Sequence, residues 1–256
     1  PVGLGLTQYP DVGRYDLSSL RLGFLGAAPL SSEMQNRIAE TVGFPIIQGY
    51  GLTETSPVTN SDFVESELIR PGSIGPALPD TEEKVVDLDA DTREVPAGET
   101  GELLVRGPQV MKGYWKQEAE TSKTIREGWL FTGDLAYIDE AGYIFLAGRA
   151  KDLIIRGGEN IAPDEVEAVL HSHLAVDEAA VIGVPDVDWG ERIRAVVVLK
   201  PGAAASEEEL IEHCRQRMAS HKRPDSVVFV NELPRNPMGK VLKRDLRERF
   251  GQPANG

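Results

Sequence analysis

Tyr143-Ile144-Phe145-Leu146-Ala147-Gly148-Arg149-Ala150-Lys151-Asp152-Leu153-Ile154-Ile155-Arg156-Gly157-Gly158-Glu159-Asn160-Ile161-Ala162-Pro163 is the stretch across which the texture of the chain changes. On its N-terminal side, from about residue 71, short apolar runs alternate with turn signals. Lys84-Val85-Val86, Glu102-Leu103-Leu104-Val105, Trp129-Leu130-Phe131 and Leu135-Ala136-Tyr137-Ile138 read as separate strands. The last of these and Tyr143-Ile144-Phe145-Leu146 flank Asp139-Glu140-Ala141-Gly142, a hairpin signal. This spacing predicts a small distorted β-barrel. On the C-terminal side the rhythm is α/β. Leu153-Ile154-Ile155 runs into a tight Gly-Gly loop, and Pro163 with Asp164 and Glu165 opens a helix with Val166, Val169 and Leu170 inward. Strands at 179–184 and 193–199 follow. Ser206 and Glu209 have capping-box spacing at the head of a helix with Leu210, Ile211, Cys214 and Met218 on one face. A strand at 227–230 and a helix at 243–250 complete a compact unit able to fold alone.

Upstream of residue 71 the rhythm is again α/β. Residues 20–25 read as a strand entering Gly26-Ala27-Ala28-Pro29. Ser31-Ser32-Glu33 then starts a helix reaching Val42, with Met34, Ile38 and Val42 inward, and 45–51 reads as a second strand ending in a Gly-flanked loop. The fold class expected is α/β, an α+β multi-domain arrangement. It comprises a partial N-terminal α/β subdomain (1–75), the small barrel (76–149) and a compact C-terminal α/β domain (150–256).

The 256 residues carry 27 Lys+Arg and 41 Asp+Glu, a formal charge of −14. An acidic total argues against non-specific binding of nucleic acid, which depends on neutralising phosphates. The acidity is uneven. Residues 212–256 hold 10 basic and 5 acidic side chains, against 17 and 36 in 1–211, and a basic end can meet a small anion such as a nucleotide. No apolar run approaches the roughly 20 residues of a membrane span. One cysteine, Cys214, excludes an internal disulfide and fits a reducing, cytoplasmic setting. The start at Pro1, without Met or a signal-like segment, hints at a fragment. The four histidines make no zinc pattern, and neither a Gly-x-Ser-x-Gly elbow nor a Gly-x4-Gly-Lys-Ser/Thr phosphate loop is present.

Four short motifs remain, and their order is informative. Gln48-Gly49-Tyr50-Gly51-Leu52-Thr53-Glu54 resembles the Tyr-Gly-x-Thr-Glu loop of adenylate-forming enzymes, and Gly128-Trp129-Leu130-Phe131-Thr132-Gly133-Asp134 resembles their Thr-Gly-Asp strand end. Gly148-Arg149-Ala150-Lys151-Asp152 with the following Arg156-Gly157-Gly158-Glu159-Asn160 resembles their hinge and hairpin. Pro234-Arg235-Asn236-Pro237-Met238-Gly239-Lys240 resembles the loop bearing their essential lysine. The family is the acyl-CoA synthetase, luciferase and peptide-synthetase adenylation superfamily. The chain looks most like a fatty-acid- or aryl-acid-CoA ligase. The family's Ser/Thr/Gly-rich phosphate loop has no counterpart before Tyr50, so the chain is expected to be the C-terminal half of a synthetase about twice its length, and by itself inactive.

The resemblance implies ATP, Mg2+ and coenzyme A as ligands, a carboxylic acid as substrate, and an acyl-adenylate intermediate; it allows a homodimer. Lys240 is implied as the catalytic cation touching both carboxylate and α-phosphate, a role suited to a compact, mobile ammonium. Glu54 is the implied magnesium ligand, with water and ATP completing the coordination. Thr53 is implied at the α-phosphate, Tyr50 with Gly49 and Gly51 at the adenine, Asp134 at the ribose hydroxyls, and Arg149 at ribose or phosphate. Gly26, Ala27, Ala28, Gly49 and Gly51 match segments lining an acyl pocket. Lys151 occupies the hinge, and Arg156, Gly157, Gly158 and Glu159 the hairpin that meets coenzyme A. Two alternatives stay open: an adenylation module that loads a carrier protein, and a non-catalytic nucleotide-binding fragment.

Overall fold

The computed structural model describes residues 2–26, 30–88, 92–236 and 239–252, and the chain divides into two compact units, 1–147 and 148–256. The first unit opens with helix α1 (Val2–Gln8), strand β1 (Gly23–Leu25), helix α2 (Ser32–Val42), and strands β2 (Ile46–Gly51) and β3 (Val58–Ser61). β1 and β2 are parallel, connected through α2, and β3 runs antiparallel to β2. The Ser31 hydroxyl caps α2 by accepting from Met34 N, and Gly43 closes it in the left-handed conformation (φ +80°). Ile38 and Val42 pack with Ile46, as the periodicity predicts. The strand expected over 20–25 is pared to three residues. Pairing starts where Gly23 N donates to Pro45 O, because nothing of β2 precedes Pro45 to pair with Leu20–Leu22.

One residue on the apolar face of α2 is polar. Gln35 is buried, donates to Ile46 O at 2.7 Å, and accepts from Gln48 and Gly72 N. Gln48 in turn exchanges two hydrogen bonds with the Leu30 backbone. Two buried amides are thereby satisfied and stitch three segments together.

The rest of the first unit is a five-stranded sheet of β4 (Glu82–Val86), β5 (Gly101–Arg106), β6 (Ile125–Arg126), β7 (Trp129–Ile138) and β8 (Ile144–Arg149), with helix α3 (Glu118–Thr124) between β5 and β6. Its order is β4-β5-β7-β6, with β8 also on β7, a half-open version of the expected barrel. Ile74, Val85, Leu103, Val105, Ala136 and Ile144 form its core. Trp129–Phe131 and Leu135–Ile138, expected as two strands, are one. Glu102 pairs with Leu135 but Leu104 with Phe131, so Thr132-Gly133-Asp134 bulges out opposite Leu103 without ending the strand.

The second unit comprises strands β9 (Ile154–Arg156) and β10 (Glu159–Ile161), helix α4 (Pro163–His171), strands β11 (Val176–Asp186) and β12 (Gly190–Leu199), helix α5 (Glu207–Arg215), strand β13 (Ser226–Phe229) and helix α6 (Lys243–Phe250). The sheet order is β10-β9-β12-β11, with β13 parallel to β12. The apolar run 179–184 is continuous because both faces of β11 are covered. Ala179 and Val181 join the core with α4 and α5 (Val166, Leu170, Leu210, Cys214), whereas Ala180, Ile182 and Val184 join Leu246 of α6. α5 ends at Arg215, so Met218 lies past the helix yet still packs on the core. Cys214 is buried and its thiol is pushed up to about 11. No helix among the described residues is long and apolar enough to cross a membrane.

Candidate functional site

In the first unit the end of β2, the loop after it and the β7 bulge converge. Gly133 takes a left-handed conformation (φ +69°) and its N–H donates to Glu102 Oε1, while Thr132 Oγ1 donates to Leu103 O and accepts from Asp134 N. The bulge therefore turns Asp134 against the end of β2. There its Oδ2 accepts from the Tyr50 hydroxyl at 2.6 Å, with Asp134 only 6% exposed. Tyr50 packs its ring on the sheet core and spends its polar tip on the carboxylate.

The loop after β2 is closed on itself. Leu52 N donates to Pro57 O, and the Thr55 hydroxyl bonds both Leu52 and Pro57. A Cβ on Gly51 would fall inside the Pro57 carbonyl, so only glycine admits this closure. Closure presents Thr53 to solvent and leaves Glu54 half-buried. Glu54 Oε1 accepts from the Tyr114 hydroxyl at 2.8 Å, and its carbonyl accepts from Met111 N. This hydrogen bond to a carboxylate raises the Tyr114 phenol pKa. Tyr114 N in turn donates to Thr121 Oγ1. Sequence reading missed Tyr114. The available signal was Gly113-Tyr114-Trp115 in a loop, a glycine beside two aromatics where solvated polar residues are usual.

For a divalent cation, Glu54 supplies a single hard oxygen donor whose other oxygen is steadied by Tyr114. Among the described residues no group of three or more His, Cys, Asp or Glu could cage a metal. That donor set fits magnesium brought in on a triphosphate rather than held by protein alone. Of the expected acyl-pocket residues, Ala27 and Ala28 lie outside the described residues. Gly26 and Gly49 mark a close approach of the β1 and β2 ends, where a Cβ on Gly26 would sit 3.1 Å from Gly49 O. The space left by Gly49 is taken by the Phe24 ring, itself half exposed, a contact the sequence did not suggest.

In the second unit Lys240 sits on a loop pinned by a bridge between Arg235 and Val241. Asn236 N donates to Lys240 O, Lys240 N to Asn236 Oδ1, and Arg235 both donates to Gly239 O and pairs with Glu178 at 2.7 Å. The Lys240 backbone is thus hydrogen-bonded at both N and O while its side chain is exposed; Pro237 and Met238 lie outside the described residues. Arg149, at the end of β8, and Lys151, in the 3-10 turn Ala150–Asp152, are also exposed. The β9–β10 hairpin turns through Gly157 and Gly158, both left-handed (φ +60° and +86°), as a two-residue turn requires. Arg156, expected to meet coenzyme A, is partnered within the unit. Its guanidinium is 2.7 Å from Asp225, donates to the His221 and Arg223 carbonyls, and lies over Trp189. It anchors the hairpin, leaving Gly157, Gly158 and Glu159 at the exposed tip.

A family model described as an AMP-binding enzyme matches residues 5–115, and one described as the AMP-binding enzyme C-terminal domain matches 165–240. The chain is 44% identical over 245 residues to a long-chain-fatty-acid–CoA ligase of Bacillus subtilis, covering 96% of this chain and 43% of that protein. It is 42% identical to a feruloyl-CoA synthase of an Amycolatopsis species, covering 96% and 50%. The fold matches the ATP-bound MatB of Rhodopseudomonas palustris with a TM-score of 0.91 and 38% identity, over 97% of this chain and 49% of that one. The chain thus spans about half the length of the curated relatives it matches. Both domain matches, in order along one chain, and these relatives lead to one conclusion: the chain belongs to the AMP-binding, adenylate-forming enzyme family.

Proposed function

We propose that the chain is the C-terminal portion of an ATP-dependent, AMP-forming acid–CoA ligase. The carboxylate of the acid attacks the α-phosphorus of ATP, the bond to the β-phosphate oxygen breaks and pyrophosphate leaves. The thiol of coenzyme A then attacks the acyl-adenylate carbonyl, and AMP leaves. The observation that carries this reading is the Tyr50–Asp134 hydrogen bond, which sets an aromatic face beside an oriented carboxylate. That pair suits adenine and the ribose hydroxyls. Thr53 and Glu54 follow on the same loop, suited to the α-phosphate and its magnesium. Magnesium, when bound, spreads charge away from the phosphates. The step between two anions is governed by charge compensation, which Lys240 supplies as an exposed cation whose backbone is hydrogen-bonded to Asn236.

In the same reading Lys151 is the hinge of a mobile domain, residues 150–256, that follows an AMP-binding segment at 1–75 and a barrel segment at 76–149. Arg149 serves ribose or phosphate, and the hairpin at Arg156-Gly157-Gly158-Glu159 meets the pantetheine arm. The relatives' printed substrates, a long-chain fatty acid and an aryl acid, frame the acid class. The test is Lys240→Ala in the intact protein. Acid-dependent ATP–pyrophosphate exchange is expected to fall by about 100-fold or more, while transfer to coenzyme A from supplied acyl-adenylate is largely spared. Equal loss of both steps would refute the role of Lys240. A panel of fatty and aryl acids, with coenzyme A and a carrier protein as competing acceptors, fixes the substrate class and decides against the carrier-loading alternative if only the coenzyme is acylated.

A further inference from the structure

The second unit contains a set of charged contacts that leads from the segment around Lys151 to the segment after Lys240. α6 begins three residues beyond Lys240, and Lys243 and Arg247 lie one turn apart on it, on one face. Lys243 Nζ is 2.9 Å from Glu167 Oε1 and 3.2 Å from Asp164 Oδ1, two carboxylates one turn apart on α4. Arg247 Nη2 donates to Asp152 Oδ1 at 3.0 Å, and Asp152 ends the 3-10 turn that contains Lys151. The Lys243 and Asp152 side chains are each only 15% exposed. Glu167 is held in place by a second donor, Val181 N at 2.7 Å. Burial by itself would lower the Lys243 pKa, but the Glu167 and Asp164 carboxylates outweigh it and the net shift is upward, so the ammonium persists.

The other side of α6 is equally constrained. Leu246 is fully buried among Ala180, Ile182, Val184 and Val196, and Leu242 N donates to Pro234 O at the base of the Lys240 loop. A stabilising role alone explains such pairs poorly, since desolvation offsets much of the attraction between partly buried charges. Their directional value is greater. Both pairs end on α6, and their partners are the hinge turn and the helix that follows the Gly-Gly hairpin.

We propose that Lys243 and Arg247 are positioning residues for adenylation, locking α6 to Asp152, Asp164 and Glu167 so that the Lys240 loop and the hinge turn move as one rigid piece. This rests on the roles of Lys240 and Lys151 proposed above. Lys240 is needed only for adenylation, so a loosened lock is expressed in that half-reaction and not in thioester formation.

The test uses the intact protein with Arg247→Ala, Arg247→Lys and the charge-reversed pair Asp152→Arg/Arg247→Asp. In Arg247→Ala the kcat of acid-dependent ATP–pyrophosphate exchange is expected to fall about 100-fold, the scale of a small misplacement of a catalytic group. The KM for ATP and the transfer from supplied acyl-adenylate to coenzyme A stay within about twofold. The lysine variant and the reversed pair recover most of the exchange. Independently of activity, hydrogen exchange at the backbone amides of 150–153 and 239–242 is expected to quicken by about tenfold in Arg247→Ala. Equal losses in both half-reactions, no rescue by the reversed pair, or unchanged amide protection would each overturn the proposal. Wild-type protein without acid-dependent exchange would instead refute the ligase reading, with the amide protection still deciding whether the lock exists.

Discussion

Tyr114 reaches across 60 positions of sequence to hold one oxygen of Glu54. A carboxylate that meets a metal with one oxygen is better placed when the other is already bonded, because fewer orientations must be frozen on binding. Tyr114→Phe removes only that hydroxyl. It is expected to raise the magnesium concentration needed for half-maximal ATP–pyrophosphate exchange by about tenfold, the usual scale for groups that orient metal ligands. Nucleotide-free thermal unfolding should be unchanged. A shift in the magnesium titration smaller than twofold would leave Tyr114 without this role. The residue scale also shows what was legible in advance. The Ser31 and Ser206 caps are read from side chains within three positions of the groups they satisfy. Tyr114 has no such neighbour, and neither has Phe24, which fills the space over Gly49.

At the level of elements, β7 carries the site because it bulges. Three residues opposite one let Asp134 leave the ladder while Trp129 to Phe131 and Leu135 to Ile138 stay in the sheet, which is why alternation alone suggested two strands. β4 contains a second conflict, between burial and charge. Glu83 faces β3, where Asn60 Nδ2 donates to its Oε2 at 2.8 Å, while Oε1 is buried with no hydrogen-bond partner among the described residues. Burial pushes this carboxyl up to about 7, against the hydrogen bond from Asn60. The unfolded chain releases the same proton near 4.5, so between those values the folded state binds more protons and stability falls as pH rises. Glu83→Gln keeps the shape without the charge. Its stability relative to wild type is expected to improve by about 2 kcal/mol from pH 5 to pH 8, measured by denaturant unfolding. An equal difference at both pH values would mean that Glu83 is ionised in the fold at no penalty.

Over the whole molecule, the apolar cores divide as the chain does. Every member of the two clusters around β11 and β12 comes from residues 154–250, and those around β5 and α2 come from residues 6–146. A polypeptide of residues 148–256 is therefore expected to fold by itself, with a cooperative thermal transition and near-ultraviolet dichroism; a gradual, non-cooperative melt would show that its two cores are insufficient. Hydrophobic period, helix caps, Pro163 and the Gly157-Gly158 turn are local signals, acting over two to four residues, and from them the sequence alone determined the α/β character, most elements and the change of texture near Gly148. The motif resemblance carried the family. What only the tertiary structure decided is which distant groups meet: Tyr50 with Asp134 across 84 positions, Lys243 with Asp164 across 79, Arg247 with Asp152 across 95. It also paired Arg156 with Asp225 across 69 positions, a contact that anchors the hairpin expected to meet coenzyme A. Such meetings depend on strand register and on which face each helix buries, and both are set by the packing of the entire unit rather than by any window of sequence.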